Sequence, residues 1–261
     1  MIKWFCILII IENLLAQDFH VTIEEIEEEI NKKKIYYGST VRIEHQTSEY
    51  FLHSHLVSYG SGSGQQSVTG MQADHDYNSL WTIKECYNQP LKKYDDQIKC
   101  GDCIRLEHML TNRNLHSHPH QAPFSGNQEV SAYGDNGNGD SSDDWILECV
   151  DNKNGDHFQA SMWFYLKHKL TSKYLRSNKK DNFNQRNCGY HCPIEGQLEI
   201  SAQTTKNADA KWKIYSGLFY QLPQQIEDDY EQDGRHCNTY GQCDDIDDDD
   251  DEFETVIQKD L

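Results

Sequence analysis

Histidines separated by a single residue are the first candidates for chemistry in this sequence. Two Leu-His-Ser-His units contain His53 with His55 and His116 with His118, and His120 follows closely. Alternate residues of a strand face the same side, so each pair projects its imidazoles from one face. A metal site needs three or four convergent ligands and groups that orient them, which a pair does not supply. The recurrence of the pairs favours a structural or surface role, and we predict no metal site.

Cysteine is the second reactive residue type. If Cys6 is removed with an N-terminal signal segment, eight of the nine cysteines remain, namely Cys86, Cys100, Cys103, Cys149, Cys188, Cys192, Cys237 and Cys243. An even set in an oxidising compartment predicts disulfides, whose connectivity the sequence alone does not fix. A metal half-site at Cys188, His191 and Cys192 is the alternative, but it lacks a matching half. Our hypothesis is one disulfide between Cys188 and Cys192 and another between Cys237 and Cys243. The other four cysteines would then form disulfides across the second of three sequence repeats.

Motifs of known catalytic sites are missing from the sequence. The glycines from Gly60 to Gly64 are not followed by the Gly-Lys-Ser/Thr of a phosphate-binding loop. The sequence contains neither a Gly-x-Ser-x-Gly elbow nor a His-Glu-x-x-His metalloprotease motif. We therefore expect a protein that is not an enzyme and that uses no cofactor.

The first sixteen residues have the composition of a signal peptide. Lys3 supplies positive charge, Trp4 to Ile11 form an apolar run, and Ala16 precedes polar residues. The apolar run is too short to span a bilayer but has the length of a signal-peptide core. We expect residues 1–16 to be removed and the mature protein to follow the secretory pathway without a membrane span.

Charge divides the chain into a nearly neutral middle and two acidic arms. The net charge is −19, from 24 basic and 43 acidic residues, and residues 222–261 hold fifteen of the acids against two bases. Residues 36–221 carry a net charge of only −3. Binding to nucleic acid needs clustered lysine and arginine, so no nucleic-acid partner is expected.

The sequences of the two acidic arms predict different structures. Residues 17–35 form an acidic linker in which isoleucines at helical spacing predict a short helix from Thr22 to Lys34. Residues 218–261 form an acidic low-complexity tail, which we expect to be disordered because its charges repel one another.

The middle of the chain contains three repeats. Each has a histidine followed seven residues later by a leucine, and the leucines are Leu52, Leu115 and Leu175. Each repeat then has a glycine-containing turn, an apolar strand and a tryptophan, namely Trp81, Trp145 and Trp212. Alternation of apolar and polar residues within the repeats predicts strands, and helix patterns are absent. About four strands in each of three repeats predict an all-β fold, a β-trefoil over residues 36–217 with leucines and tryptophans in its core.

The repeats resemble MIR domains, and most closely those of the stromal cell-derived factor 2-like proteins of the endoplasmic reticulum. The resemblance rests on the Leu-His-Ser-His units, on the glycine-rich segment from Tyr59 to Gly70, and on Ser-Gly-Asn-Gln-Glu-Val-Ser-Ala from Ser125 to Ala132. The third repeat departs from the pattern because Arg176 and Asn178 replace the histidines and because it has a cysteine-containing insertion.

The resemblance implies a lumenal chaperone cofactor that acts with the heat-shock chaperone BiP, a J-domain co-chaperone and unfolded clients. Its residence would be the endoplasmic reticulum lumen, with secretion as the alternative because the final Gln-Lys-Asp-Leu only loosely matches a retrieval signal. A lectin-like module that binds O-mannosylated or other glycosylated proteins is the alternative function. The candidate binding residues are Tyr59, His53, His55, His116, His118 and Phe124.

Overall fold

Twelve strands form one sheet in the computed structural model, which describes residues 33–219 together with 236–237 and 243–244. The first repeat contains β1 (Thr40–His45), β2 (Phe51–Ser58), β3 (Gln66–Met71) and β4 (Leu80–Glu85). The second repeat contains β5 (Cys103–His108), β6 (Arg113–Gln121), β7 (Gln128–Tyr133) and β8 (Trp145–Cys149). The third repeat contains β9 (Phe164–His168), β10 (Tyr174–Asn182), β11 (Leu198–Gln203) and β12 (Trp212–Leu218).

The strand pairing is that of a β-trefoil, as the repeats predicted. Strands β1, β4, β5, β8, β9 and β12 pair antiparallel in a closed ring of six. The other six strands form three hairpins, β2–β3, β6–β7 and β10–β11, at one end of the ring. Strands β3, β7 and β11 also pair with one another, so the hairpins close around the same pseudo-threefold axis. Closure of both layers leaves no long unpaired edge in the sheet.

The three tryptophans and three leucines lie in the core, where the sequence placed them. All six side chains are fully buried. Each indole N–H donates to the carbonyl of the leucine in its own repeat, at 2.8 Å for Trp81, 2.9 Å for Trp145 and 3.0 Å for Trp212. A buried indole needs such an acceptor, because an unpaired N–H in the core is costly.

A buried histidine joins each repeat to the preceding one. His45, His108 and His168 are fully buried, and each ring packs on the tryptophan directly opposite it on the neighbouring strand, at 4.7–5.0 Å. Nε2 of each ring lies 2.8–3.0 Å from a backbone carbonyl, and Nδ1 lies 2.8 Å from the hydroxyl of the residue three positions on. A carbonyl only accepts, so Nε2 carries the proton and Nδ1 accepts from the hydroxyl.

Short helices interrupt the β structure at places where the sequence predicted none. Among residues 33–219 there are three 3-10 helices, Tyr77–Ser79, Ser141–Asp143 and Ala208–Ala210, each placed just before the tryptophan strand. Asp76, Asp140 and Asn207 cap them by accepting a backbone N–H. A four-residue helix, α1 (Gln185–Cys188), lies in the insertion of the third repeat. Runs this short have no amphipathic period, which is why the pattern analysis missed them.

The trefoil begins slightly earlier than predicted. Ile35, assigned to the acidic linker, is fully buried in the core, and its N–H donates to the carbonyl of Phe158 at 3.1 Å. Lys34, predicted as the end of a helix, forms a β-bridge with Gln159. The helical prediction is therefore wrong for residues 33 and 34, because these residues extend toward a buried anchor. The rest of that helix, the signal peptide and the body of the acidic tail lie outside the described residues.

Three disulfides stabilise the trefoil, and they agree with the hypothesis from the sequence. Cys86–Cys103 and Cys100–Cys149 join the four cysteines around the second repeat, with Cα separations of 5.6 and 5.5 Å. Cys188–Cys192 closes the insertion, with a Cα separation of 5.2 Å. Strands β13 (His236–Cys237) and β14 (Cys243–Asp244) place the backbones of Cys237 and Cys243 opposite each other, and their disulfide stays a prediction. No helix within the described residues has the length and apolar character needed to cross a bilayer.

Candidate functional site

Two buried glutamates hold the loops at the hairpin end of the trefoil. Glu199 of β11 accepts backbone N–H groups of Phe124 and Ser125 at 2.6 and 3.3 Å, and also the Ser125 hydroxyl. Glu129 of β7 does the same for the loop of the first hairpin, where it accepts the N–H of Ser63 at 3.3 Å and its hydroxyl. Each carboxylate is fully surrounded by protein, so these charge-assisted bonds fix the loops to the neighbouring repeat.

The third hairpin is held differently. By the order of the repeats, its loop would be anchored from the first repeat, where Ser67 of β3 occupies the position of Glu129 and Glu199. The Ser67 hydroxyl donates to the carbonyl of Val57 instead. The third hairpin also carries the insertion with α1 and the Cys188–Cys192 disulfide. The Cys188–Cys192 disulfide thus lies in the one hairpin that has no glutamate anchor among the described residues.

The three hairpins enclose an apolar groove. Its volume is about 360 Å³, and its lining includes Val57, Tyr59, Pro123, Phe124, Phe183, Pro193 and Ile194. The rings of Phe124 and Phe183 meet edge to face with centroids 4.7 Å apart. Every hairpin contributes apolar side chains, so the groove exists only because the threefold fold brings the loops together.

The two aromatic candidates from the sequence have different positions in this groove. Tyr59 is buried, and its hydroxyl lies 2.9 and 3.0 Å from the carbonyls of Val68 and Val130, so it forms the floor. Phe124 is only half-buried and lies at the mouth. Phe124 is therefore the aromatic residue of this pair that a bound partner can contact.

The histidine pair of the first repeat is mainly internal. His53 is buried, with Nδ1 3.2 Å from the hydroxyl of Ser79 and 3.5 Å from a carboxylate oxygen of Asp76. Its Nε2 lies 3.0 Å from Nδ1 of His55, which is half-buried. Burial lowers the pKa of His53 to about 4 and also lowers the pKa of His55. Both rings are neutral near pH 7, which fits the structural role expected for them.

The histidine pair of the second repeat contacts carboxylates. Nδ1 of buried His116 lies 2.8 Å from Oδ1 of Asp143, a residue that is itself fully buried. Burial raises the pKa of Asp143 above its ordinary value. His118 lies 2.9 Å from the loop-anchoring carboxylate of Glu129, and burial lowers the pKa of His118. The sequence did not reveal these carboxylate partners, because they lie 27 and 11 residues away along the chain.

The third repeat replaces the imidazoles by a guanidinium. Arg176 is buried, with Nη1 2.7 Å from Asp181 and 3.9 Å from Glu199, and Nη2 4.0 Å from Asp209. The side-chain amide of Asn178 donates to Asp209 at 2.9 Å. The same position in the trefoil is thus occupied by histidines in two repeats and by a fixed positive charge in the third.

A second, polar cavity lies beside the second repeat. Its volume is about 530 Å³, and it is lined by Gln65, Arg113, Ala132, Tyr133, Gly134, Asp135, Asn138, Gly139 and Asp140. The Tyr133 ring packs on His116 at 4.7 Å and remains 40% exposed. Gly134 has φ of 101°, and a side chain there would collide with the carbonyl of Asn138. The cavity combines one exposed ring with several hydrogen-bonding groups.

Comparison with known sequences matches this chain to a family. The MIR domain matches residues 50–187. A stromal cell-derived factor 2-like protein of Dictyostelium discoideum is 40% identical over 190 residues, which are 72% of this chain and 84% of that protein. The Arabidopsis thaliana protein of the same name is 41% identical over 189 residues, 72% and 82% of the two chains. Human stromal cell-derived factor 2 is 40% identical over 182 residues, 70% and 80% of the two chains.

Solved structures are also similar to this chain in fold and sequence. The crystal structure of the SDF2-like protein from Arabidopsis thaliana has a TM-score of 0.66 and 39% identity, covering 73% of this chain and 99% of that one. The Saccharomyces cerevisiae protein O-mannosyltransferase Pmt1-Pmt2 complex bound to the sugar donor contains a chain with a TM-score of 0.63 and 29% identity. That match covers 74% of this chain and 26% of the other. The similarity spans the trefoil that carries both cavities.

Proposed function

The chain belongs to the stromal cell-derived factor 2-like family of MIR-domain proteins, and we propose that it is a non-catalytic binding protein of the endoplasmic reticulum lumen. In this proposal it assists protein folding and quality control together with the chaperone BiP and a J-domain co-chaperone. The supporting observation is an identity of 40% to a family member over 72% of the chain.

The apolar groove is the surface on which an unfolded client would bind. Unfolded chains expose apolar side chains, and a groove lined by Phe124, Phe183 and Ile194 offers them apolar contact. The glutamate anchors hold two of the surrounding loops in place, so little conformational entropy is lost when a client binds. The occupant proposed for this groove is an apolar segment of an unfolded client.

Replacing Phe124 with serine is expected to reduce client binding several-fold while the trefoil stays folded. The half-buried ring lies at the groove mouth, so its loss removes apolar contact area that the client would cover. The measurement is crosslinking of the tagged full chain in a lumenal extract, with quantification of captured clients, BiP and J-domain protein. Tyr77→Ser is the matched control, because Tyr77 is 67% exposed and does not line the groove.

The crosslinking experiment tests the chaperone partnership and the position of the client site separately. Recovery of neither BiP nor a J-domain protein with the unmodified chain would overturn the proposed function. Recovery of both with equal client capture by the Phe124→Ser and Tyr77→Ser variants would overturn the groove as the client site. Circular dichroism of each variant confirms that the comparison concerns folded protein.

Glycan binding is the second candidate function, and the polar cavity favours it. Sugar sites commonly combine an aromatic ring, which stacks on the pyranose face, with amide and carboxylate groups that bind hydroxyls. Tyr133, Asn138 and Asp140 offer this combination around the cavity. A yeast protein O-mannosyltransferase complex, solved with its sugar donor, contains a similar trefoil.

Tyr133→Ala is expected to abolish any binding of the full chain to mannosylated peptides on a glycan array. The reason is that the stacking ring contributes most of the apolar contact in a sugar site of this type. Tyr215→Ala is the control, since Tyr215 is comparably exposed at 47% but lies outside the cavity. An array on which the unmodified chain binds no glycan would rule out the second candidate.

A further inference from the structure

We propose that the second repeat holds a divalent transition-metal site, formed by His116, Asp140 and Asp143, with Zn²⁺ as the ion that its ligand chemistry fits. One imidazole nitrogen and two carboxylate oxygens converge there, all within 4.8 Å of one another. The sequence analysis predicted no metal because the histidine pairs lacked a third ligand. The fold supplies the missing ligands from the 3-10 helix Ser141–Asp143 and its cap.

The distances suit a single ion. Nδ1 of His116 lies 2.8 Å from Oδ1 of Asp143 and 3.9 Å from Oδ1 of Asp140. Zinc bonds to nitrogen and oxygen are about 2.0–2.2 Å, so tetrahedral ligand atoms lie about 3.4 Å apart. The two observed separations bracket that value, and small side-chain rotations would equalise them. Two carboxylates would also neutralise a divalent charge.

Buried hydrogen bonds orient the Asp143 carboxylate. Asn114 is fully buried, and its side-chain amide donates to Oδ2 of Asp143 at 3.4 Å. The backbone N–H of Asp140 donates to the same oxygen at 2.8 Å. These bonds engage Oδ2 and leave Oδ1, the oxygen that faces His116, to bind the ion. Partners of this kind orient the carboxylates that bind metals.

The other two repeats show why the site is confined to the second. In the first repeat the position of Asp143 is Ser79, so only one carboxylate, Asp76, remains near His53. In the third repeat Arg176 takes the place of His116 and brings its own positive charge among carboxylates. The second repeat alone, within the described residues, combines an imidazole, two carboxylates and no guanidinium at these positions.

The site is reachable from solvent. The Asp140 side chain is 47% exposed and lines the polar cavity, so an ion can enter there and keep water ligands. Coordination by Nδ1 requires that this nitrogen carries no proton, so the zinc-bound His116 would have the Nε2–H tautomer. An imidazole ligand favours zinc over Ca²⁺, which takes oxygen ligands.

Isothermal titration of the chelator-treated full chain with ZnCl₂ tests the proposal. We expect one ion per chain at this site, and Asp140→Asn should weaken its affinity at least ~10-fold. Asparagine is also a good N-cap, so this variant keeps the 3-10 helix. Asp76→Asn is the matched control, because Asp76 caps the equivalent helix of the first repeat, and it should leave the affinity unchanged.

Zinc that binds to carboxylates of the acidic tail would also contribute to the heat of titration. A second measurement therefore reports on His116 directly. Nitrogen-15 spectra of the imidazoles should show that zinc shifts the Nδ1 signal of His116 and that the zinc-bound ring is the Nε2–H tautomer, with little change at His53. Zinc binding that Asp140→Asn does not weaken, or that leaves the His116 spectrum unchanged, would overturn the site. His116→Gln adds a further test if it folds, and the other two results decide the matter if it does not.

Discussion

Replacing Glu199 with alanine is expected to lower the free energy of unfolding by about 3–5 kcal/mol, the range measured when one partner of a buried charge pair is removed. The carboxylate is fully buried and accepts the backbone N–H groups of Phe124 and Ser125. Its loss leaves both donors without their acceptor and removes a negative charge 3.9 Å from the guanidinium of Arg176. Leaving buried groups unpaired costs more than the bonds themselves contribute.

Urea unfolding at pH 7 measures this effect. Glu195→Ala is the control, because Glu195 is exposed in the neighbouring insertion, and its loss should change the stability by less than about 0.5 kcal/mol. Ser125→Ala should cost about 1 kcal/mol, since it removes a single hydrogen-bonding group of the same anchor. Equal midpoints for Glu199→Ala and Glu195→Ala would show that the anchor does not stabilise the fold.

The glutamate anchors illustrate what the sequence pattern did and did not reveal. The repeats predicted the twelve strands and the burial of residues such as Leu115 and Trp145, because each of these follows from a period of two within one repeat. The sequence has glutamate before Val-Ser-Ala in the second repeat and before Ile-Ser-Ala in the third. The role of this glutamate was not predictable from the sequence, because Glu199 accepts the backbone N–H of Ser125, in a loop 74 residues earlier in the chain.

Contacts between repeats account for most of what the sequence analysis missed. The bonds from the Phe124 and Ser125 N–H groups to Glu199 and the burial of Ile35 depend on how the three repeats close around the axis. A period of two predicts only which face of a strand is apolar, and says nothing of which loop closes over it. The Cys188–Cys192 disulfide was predictable because its cysteines are only four positions apart, whereas the pairing of Cys86 with Cys103 depends on strand positions.

Acidification from pH 7 to pH 5 is expected to lower the free energy of unfolding by about 4 kcal/mol through His45 and His53 alone. Burial lowers the pKa of each from 6.5 to about 4. A shift of this size costs about 2 kcal/mol per histidine at pH 5, because the unfolded chain binds a proton there that the folded protein excludes. The loss is large relative to a typical stability of about 5–15 kcal/mol.

The direction of the effect follows from the protonation of the two states. Well above pH 6.5 neither state binds these protons, so the stability is complete. As the pH falls from 6.5 toward 4, only the unfolded chain is protonated and the stability decreases, and below about pH 4 the decrease stops. Burial also lowers the pKa of four other histidines, which add to the loss, namely His55, His108, His118 and His168. Asp143 acts in the opposite direction because its pKa is raised, but it is a single group.

His45→Gln distinguishes this mechanism from a general effect of acid. The variant loses stability at pH 7, because the ring that packs on Trp212 is gone. The difference in unfolding free energy between pH 7 and pH 5 should nevertheless shrink by about 2 kcal/mol, since the excluded proton no longer exists. His75→Ala should leave that difference unchanged, because the side chain of His75 is 95% exposed. A His45→Gln variant with the full pH dependence would show that the acid sensitivity arises elsewhere. Because each central histidine joins two repeats, tryptophan fluorescence and circular dichroism should report the acid transition at the same pH.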